Sequence, residues 1–147
     1  MDKNQFSFAA LSCNSNRDAG DRISYVNNIN HQDPDLIFFA GDQSYIHKEH
    51  TAAWLEFGMQ FREIFRNRPC ISLPDDHDVG QLNLWGEGGK ISNSILGAKG
   101  GYFAPIPYVQ MVERCQTGHL PDPISNSLIA NGLLTYYTNF ILSLIHI

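Results

Sequence analysis

The sequence predicts an α/β fold built on a parallel sheet, and three observations predict it. Three short apolar runs, FSFAALSC (6–13), LIFFA (36–40) and CISLP (70–74), have the length of buried strands. Stretches with helical spacing separate them. Each run also stops at polar residues able to do chemistry: Cys13, then Asp42, then Asp75, Asp76, His77 and Asp78. The order strand, helix, strand, helix, strand is that of parallel crossover units, whose ligands sit beyond the carboxyl ends of the strands.

Each element has its own justification. After the first strand and a loop of Asn, Ser, Arg and Gly, DRISYVNNINH places Ile23, Val26 and Ile29 at helical intervals, with Asp21 in position to cap. DPD then breaks the helix before LIFFA. EHTAAWLEFGMQFREIFRNRP sets Trp54, Phe57, Phe61 and Ile64/Phe65 at steps of three or four, opposite Glu56, Arg62, Glu63 and Arg66, so it reads as one amphipathic helix closed by Pro69. Beyond residue 79 the texture changes. GQLNLWGEGGKISNSILGAKGGYFAPIPYVQ is rich in glycine, with two prolines near its end. It reads as a long Gly/Pro-rich excursion over the sheet edge, which ERCQTGHLPDP continues, rather than a layer of the fold. Residues 128–142, LIANGLLTYYTNFIL, read as a further strand pair.

The composition narrows the function classes. The chain has 147 residues, 43% of them hydrophobic and 12% aromatic, which fits a globular domain with a core. The net charge is −5 and no basic stripe runs along the chain, so specific nucleic-acid binding is not expected. Phosphate substrates stay open, because a metal supplies local positive charge. Three widely spaced cysteines, with no Cys-x-x-Cys, argue against a disulfide framework or a zinc ribbon. No window reaches the ~18 apolar residues of a membrane span, and the start MDKNQFSFAALSC has no signal-peptide pattern. On that ground the chain as it stands reads as cytoplasmic.

The stretch PDDHDVGQLN (74–83) concentrates charge that repels itself. Carboxylates at strand ends, beside an imidazole and amide side chains, are what hard or borderline metal ions bind, and a metal cancels the repulsion. A two-metal site also needs a bridging ligand, and Asp42, after Gly41, is placed for that role. Taken alone, each feature has a plainer reading. Asp75 and Asp76 would cap a following helix, Cys13 would be a buried thiol, Tyr45 a packing aromatic, and Asn14 and Asn83 loop residues. Convergence on one predicted edge favours the site.

Taken together, LSCNSN, DLIFFAGDQSY and PDDHDVGQLN resemble the PhoD-like alkaline phosphatases and phosphodiesterases of the calcineurin-like metallophosphoesterase superfamily. ERCQTGHLPDP and GLLTYYT are similar to later segments of its bacterial members, and the likeness runs from residue 6 to about 140. The resemblance implies the first half of a metallophosphoesterase β-sandwich. It implies hydrolysis of phosphate mono- or diesters, with water activated at a dinuclear centre of iron (Fe3+) with calcium (Ca2+) or another divalent ion. It implies Cys13 and Tyr45 as iron ligands, Asp42 as the bridge, and Asp76 as a ligand of the second metal. His77 then meets the phosphate or leaving group, and Asn83 lies near the substrate. Which of Asp75, Asp76 and Asn83 touches metal stays open.

The sequence also departs from that pattern. The aspartate and histidine ligands expected on later strands have no match, and SLIHI does not resemble the family. Residues 1–142 are therefore read as a partial, truncated catalytic domain, and 143–147 as a non-native tail. Such a half-site would leave one sheet face uncovered. Many family members are exported, and no twin-arginine signal is seen here. The competing reading is a catalytically inactive fragment or metal-binding remnant. A haloacid-dehalogenase-type phosphatase fits less well, because its DxDx[TV] stretch is missing after the first strand. The substrate pocket is expected along GGYFAPIPYVQMVERCQ, with Tyr102, Phe103 or Arg114 at its rim, although packing explains these residues equally well.

Overall fold

A computed structural model describes residues 5–15, 20–84, 89–95, 100–125, 127–128, 130–133 and 136–141. Strand β1 is Phe8–Leu11, helix α1 Arg22–Gln32, β2 Leu36–Ala40, α2 His50–Gln60, α3 Arg62–Asn67, β3 Cys70–Leu73 and α4 Ile106–Thr117. The sheet has the order β1-β2-β3 and both pairings are parallel. The α/β class read from the sequence is therefore the observed one. No helix among the described residues is long and apolar enough to cross a membrane.

The register sets up the core. Leu11, Phe39 and Ser72 are aligned across the sheet, as are Ala9, Ile37 and Cys70. Side chains alternate along a strand, so these six share one face. Ile37 and Phe39 on that face are fully buried, and Phe57, Phe61, Ile64, Val26 and Ile29 pack around them from the helices. The Phe39 ring meets Phe57 and Phe61 edge-on, with centroids 5.0 and 5.2 Å apart. Truncating Phe39 to alanine would cost about 3–5 kcal/mol by opening a cavity among these rings. The opposite face is less covered, and Phe8 there is 63% exposed.

The helices form for the reasons their sequences give. Asp21 caps α1, its Oδ1 accepting from the backbone N–H groups of Ile23 and Ser24. Asp33 ends α1 in the left-handed region (φ 48°), its N–H donating to the Ile29 and Asn30 carbonyls before Pro34. Val26 and Ile29 face the core, but Ile23 is exposed. The single helix expected through residues 50–67 is broken at Phe61, which has φ −104° and ψ 14°. Its N–H still bonds to the Phe57 carbonyl, and its own carbonyl starts α3 by accepting from Ile64 and Phe65. The fully buried Phe61 ring sits at that joint, against Tyr25, Phe39 and Phe57.

The glycine-rich region is more than an excursion. It contains α4, a twelve-residue helix with Pro105 at its cap position and Pro107 in its first turn. Val109 and Val112 of α4 form a second small core with Val79 and Leu133. The Ser72 hydroxyl on β3 donates to the Gln116 carbonyl at 2.6 Å and ties the helix to the sheet. The strand pair expected over 128–142 is not formed among the described residues. Ala130–Gly132 instead make a short 3-10 turn, with Asn131 and Gly132 at positive φ. The expected tail, 143–147, lies outside the described residues.

Candidate metal centre

The parallel register delivers the three strand ends to one edge. The Cys13 N–H donates to the Gly41 carbonyl at 3.2 Å, so the β1 and β2 ends stay paired past the strands. Arg22 of α1 folds the next loop inward by donating to the carbonyls of Asn14 and Ser15 at 2.8 and 2.7 Å. Buried Gln43 joins the other two ends, its side-chain amide donating to the carbonyls of Phe39 and Leu73. Gly41 allows the approach of β2 to β3. Its φ is +93°, and a Cβ there would fall 2.4 Å from the Asp75 Cβ. The glycine therefore makes room for the neighbouring chain.

Asp42, Asp76 and His77 each place a ligand atom so that all three lie within 4.8 Å of one another. Asp42 is buried, and its two oxygens face different partners. Oδ1 accepts from the His77 backbone N–H at 3.3 Å. Oδ2 accepts from the Tyr45 hydroxyl at 3.0 Å and lies 3.5 Å from Cys13 Sγ. One carboxylate thus stands between two donor groups: Asp76 with His77, and Cys13 with Tyr45. The donor chemistry fits metal ions, with oxygen and imidazole on one side and thiol and phenol on the other. Burial, aided by hydrogen bonds to Cys13 and Asp42, holds the Tyr45 phenol above its usual pKa.

The turn that carries the carboxylates is braced by its own third aspartate. Asp78 is 1% exposed, and its oxygens accept from the backbone N–H groups of Ser44 (2.9 Å) and Asp75 (3.0 Å). Burial pushes its pKa up to about 6 despite these donors. Residues 75–81 form a turn closed by bonds from Val79, Gly80 and Gln81 to the carbonyls of Asp75, His77 and Asp76. Residues 76–84 form turns and irregular backbone rather than a helix, so Asp75 and Asp76 do not serve as caps. Asp75 lies against Gly41, outside the Asp42–Asp76–His77 trio, and burial raises its pKa. Asn83 is exposed, and its backbone N–H makes a short hydrogen bond to Asp76 Oδ2. Its visible role is to hold Asp76.

Backbone strain collects at the same place. Among the described residues five non-glycine positions have positive φ, and Cys13 (56°), Asp42 (56°) and Asn83 (52°) are three of them. Residues held in this region cost of order 1–3 kcal/mol each and persist where surrounding structure fixes them, often at functional sites.

Three contributors were not singled out in the sequence. His47 Nε2 lies 2.9 Å from His77 Nδ1. The His47 carbonyl in turn accepts from the Tyr108 hydroxyl of α4 at 3.0 Å. Gln43 joins the strand ends as described. Gln81, fully buried, clamps the later chain to the carboxylate turn: its amide donates to the Gly101 carbonyl and its oxygen accepts from the Phe103 N–H, both at 2.6 Å. The only available signal was a polar residue next to each motif. No family model, curated protein or solved structure matches this chain.

Proposed function

We propose that this chain is a metal-dependent hydrolase of phosphate mono- or diesters, in keeping with the motifs it resembles. The observation that carries the reading is the meeting of Asp42, Asp76 and His77 from two strand ends, with Cys13 and Tyr45 on the far oxygen of Asp42. Cys13 and Tyr45 would suit iron, and the oxygen ligand Asp76 would suit calcium or another divalent ion, with Asp42 between them. Bound there, the ions supply positive charge and Lewis acidity toward a phosphoryl group.

The chain's own groups divide the remaining work. The Tyr45 hydroxyl fixes the rotamer of Asp42 by donating to Oδ2. The Asn83 N–H does the same for Asp76. His77 has Nδ1 engaged by His47, which leaves Nε2 to meet the phosphate or to pass a proton to the leaving oxygen.

The test is an assay with p-nitrophenyl phosphate and bis(p-nitrophenyl) phosphate, with iron and calcium added. Turnover that Asp42→Asn abolishes is the expected result. Metal binding without turnover of either ester, in protein shown to be folded, would replace this reading with a non-catalytic metal-binding one.

A further inference from the structure

A cavity of about 350 Å³ opens beside the carboxylate turn. Asp75 and Asp76 form one wall of it, so it begins where the candidate metal centre ends. Its other walls are mixed: Leu73, Val79, Leu84, Val109 and Leu133 are apolar, while Tyr102, Glu113, Thr117 and Tyr136 bring polar atoms. Its size falls in the range of small-molecule sites, roughly 300–1,000 Å³. Val79, Val109 and Leu133 also belong to the second small core, so the cavity is framed by packed side chains.

Charge decides what such a cavity accepts. Among the described residues lining it there is no lysine or arginine. Asp75, Asp76 and Glu113 line it, and Glu113 is held partly buried on α4. A substituent carrying a carboxylate or a second phosphate would enter a partly apolar space among carboxylates, with no cation to pair it. An uncharged hydrocarbon arm would gain by burial against Leu73, Val79, Leu84, Val109 and Leu133.

We propose that this cavity is the ester-arm subsite of the candidate centre, and that it selects phosphate esters bearing an uncharged aryl or branched-alkyl arm over those bearing an anionic one. The proposal rests on the hydrolase reading for its phosphoryl position at Asp76. The apolar part of the lining, and the lack of a cation among its described residues, stand independently of that reading.

One-armed phosphonates, which are not hydrolysed, test it. Phenylphosphonate, methylphosphonate and phosphonoacetate are titrated into the calcium-loaded protein while the methyl NMR signals of Val79, Val109 and Leu133 are followed. Phenylphosphonate is expected to bind at least about tenfold more tightly than the other two, as burial of a ring predicts, and to shift those methyls saturably. Leu84→Arg, at a half-buried wall position, is expected to erase or invert the preference. Equal affinities for the three ligands, no binding of any, or shifts that leave these methyls untouched would overturn the proposal. The two readings fail separately. Selective phenylphosphonate binding without ester turnover refutes the hydrolase and leaves the subsite. Ester turnover with equal phosphonate affinities refutes the subsite alone.

Discussion

His47 Nε2 sits 2.9 Å from His77 Nδ1, and the two rings lie 5.1 Å apart between centroids. One ring must donate and the other accept, so the contact couples the tautomers of the two rings. The backbone of His47 is held in turn. Tyr108 donates to its carbonyl, and Gly80 packs so closely that a Cβ there would fall 2.9 Å from that oxygen. His47 is thus a positioning residue, through which α4 sets the orientation of His77.

That arrangement predicts a specific loss. Replacing His47 with phenylalanine should lower ester turnover by about 10–100-fold, of the order lost when a hydrogen-bonding partner that orients a functional histidine is removed. The measurement that separates positioning from plain damage is 15N NMR of the His77 ring in metal-free protein. A tautomer balance set by His47 in the wild type should become a solution-like mixture in His47→Phe. An unchanged His77 spectrum would show that His47 does not orient it.

Gly41 predicts a cost in stability. Gly41→Ala places a side chain at φ +93° and drives its Cβ to 2.4 Å from that of Asp75. The left-handed strain alone is about 1–3 kcal/mol, and relief of the clash adds to it by parting the β2 and β3 ends. Urea denaturation should show the loss. Metal affinity should fall in the same variant, because Asp42 and Asp76 follow the two strand ends that move apart.

Asp78 tests the brace under the turn. Asp78→Asn keeps the size but leaves only one side-chain oxygen for two backbone donors, and it turns an amide N–H2 toward one of them. The expected loss is about 1–3 kcal/mol, from one unpaired buried N–H. Chemical denaturation at neutral pH checks it.

The legible part of the fold was the part written in local pattern. Apolar runs bounded by polar strand ends gave the three strands and their parallel order. Asp21 and DPD marked the ends of α1. The glycines around α4 hid a helix whose start Pro105 and Pro107 announce and whose Val109 and Val112 face inward. Helical spacing ran straight through Phe61, because periodicity does not register a one-residue break at a buried ring. In the candidate site, Asp42, Asp76 and His77 were named from sequence. Gln43, His47 and Gln81 were not, since each acts through partners distant in the chain. Asp78 looked like one more carboxylate of the cluster, and only its two backbone donors distinguish it as a brace.

His50 gives a pH dependence away from the candidate centre. The first residue of α2 is 1% exposed, and neither ring nitrogen has a hydrogen-bond partner among the described residues. Burial lowers its pKa from 6.5 to about 4, so the folded protein holds it neutral. In the unfolded chain it charges below its ordinary value. Its effect on stability is therefore absent above about pH 6.5 and grows as a penalty as the pH falls toward 4, reaching on the order of 3 kcal/mol at most. His50→Phe removes the unpaired nitrogens at similar shape. Thermal melts from pH 7 to 4 should show a flatter profile for the variant, with no loss at pH 7.

These strand ends are proposed to form a metal site around Asp42. Isothermal titration of calcium into wild-type protein and Asp42→Asn tests it most directly, with circular dichroism confirming that both are folded. Saturable binding in the wild type, weakened at least about tenfold in the variant, is the predicted result. Equal binding by the two proteins, or no saturable binding by the wild type to calcium and none to iron, would rule the metal site out.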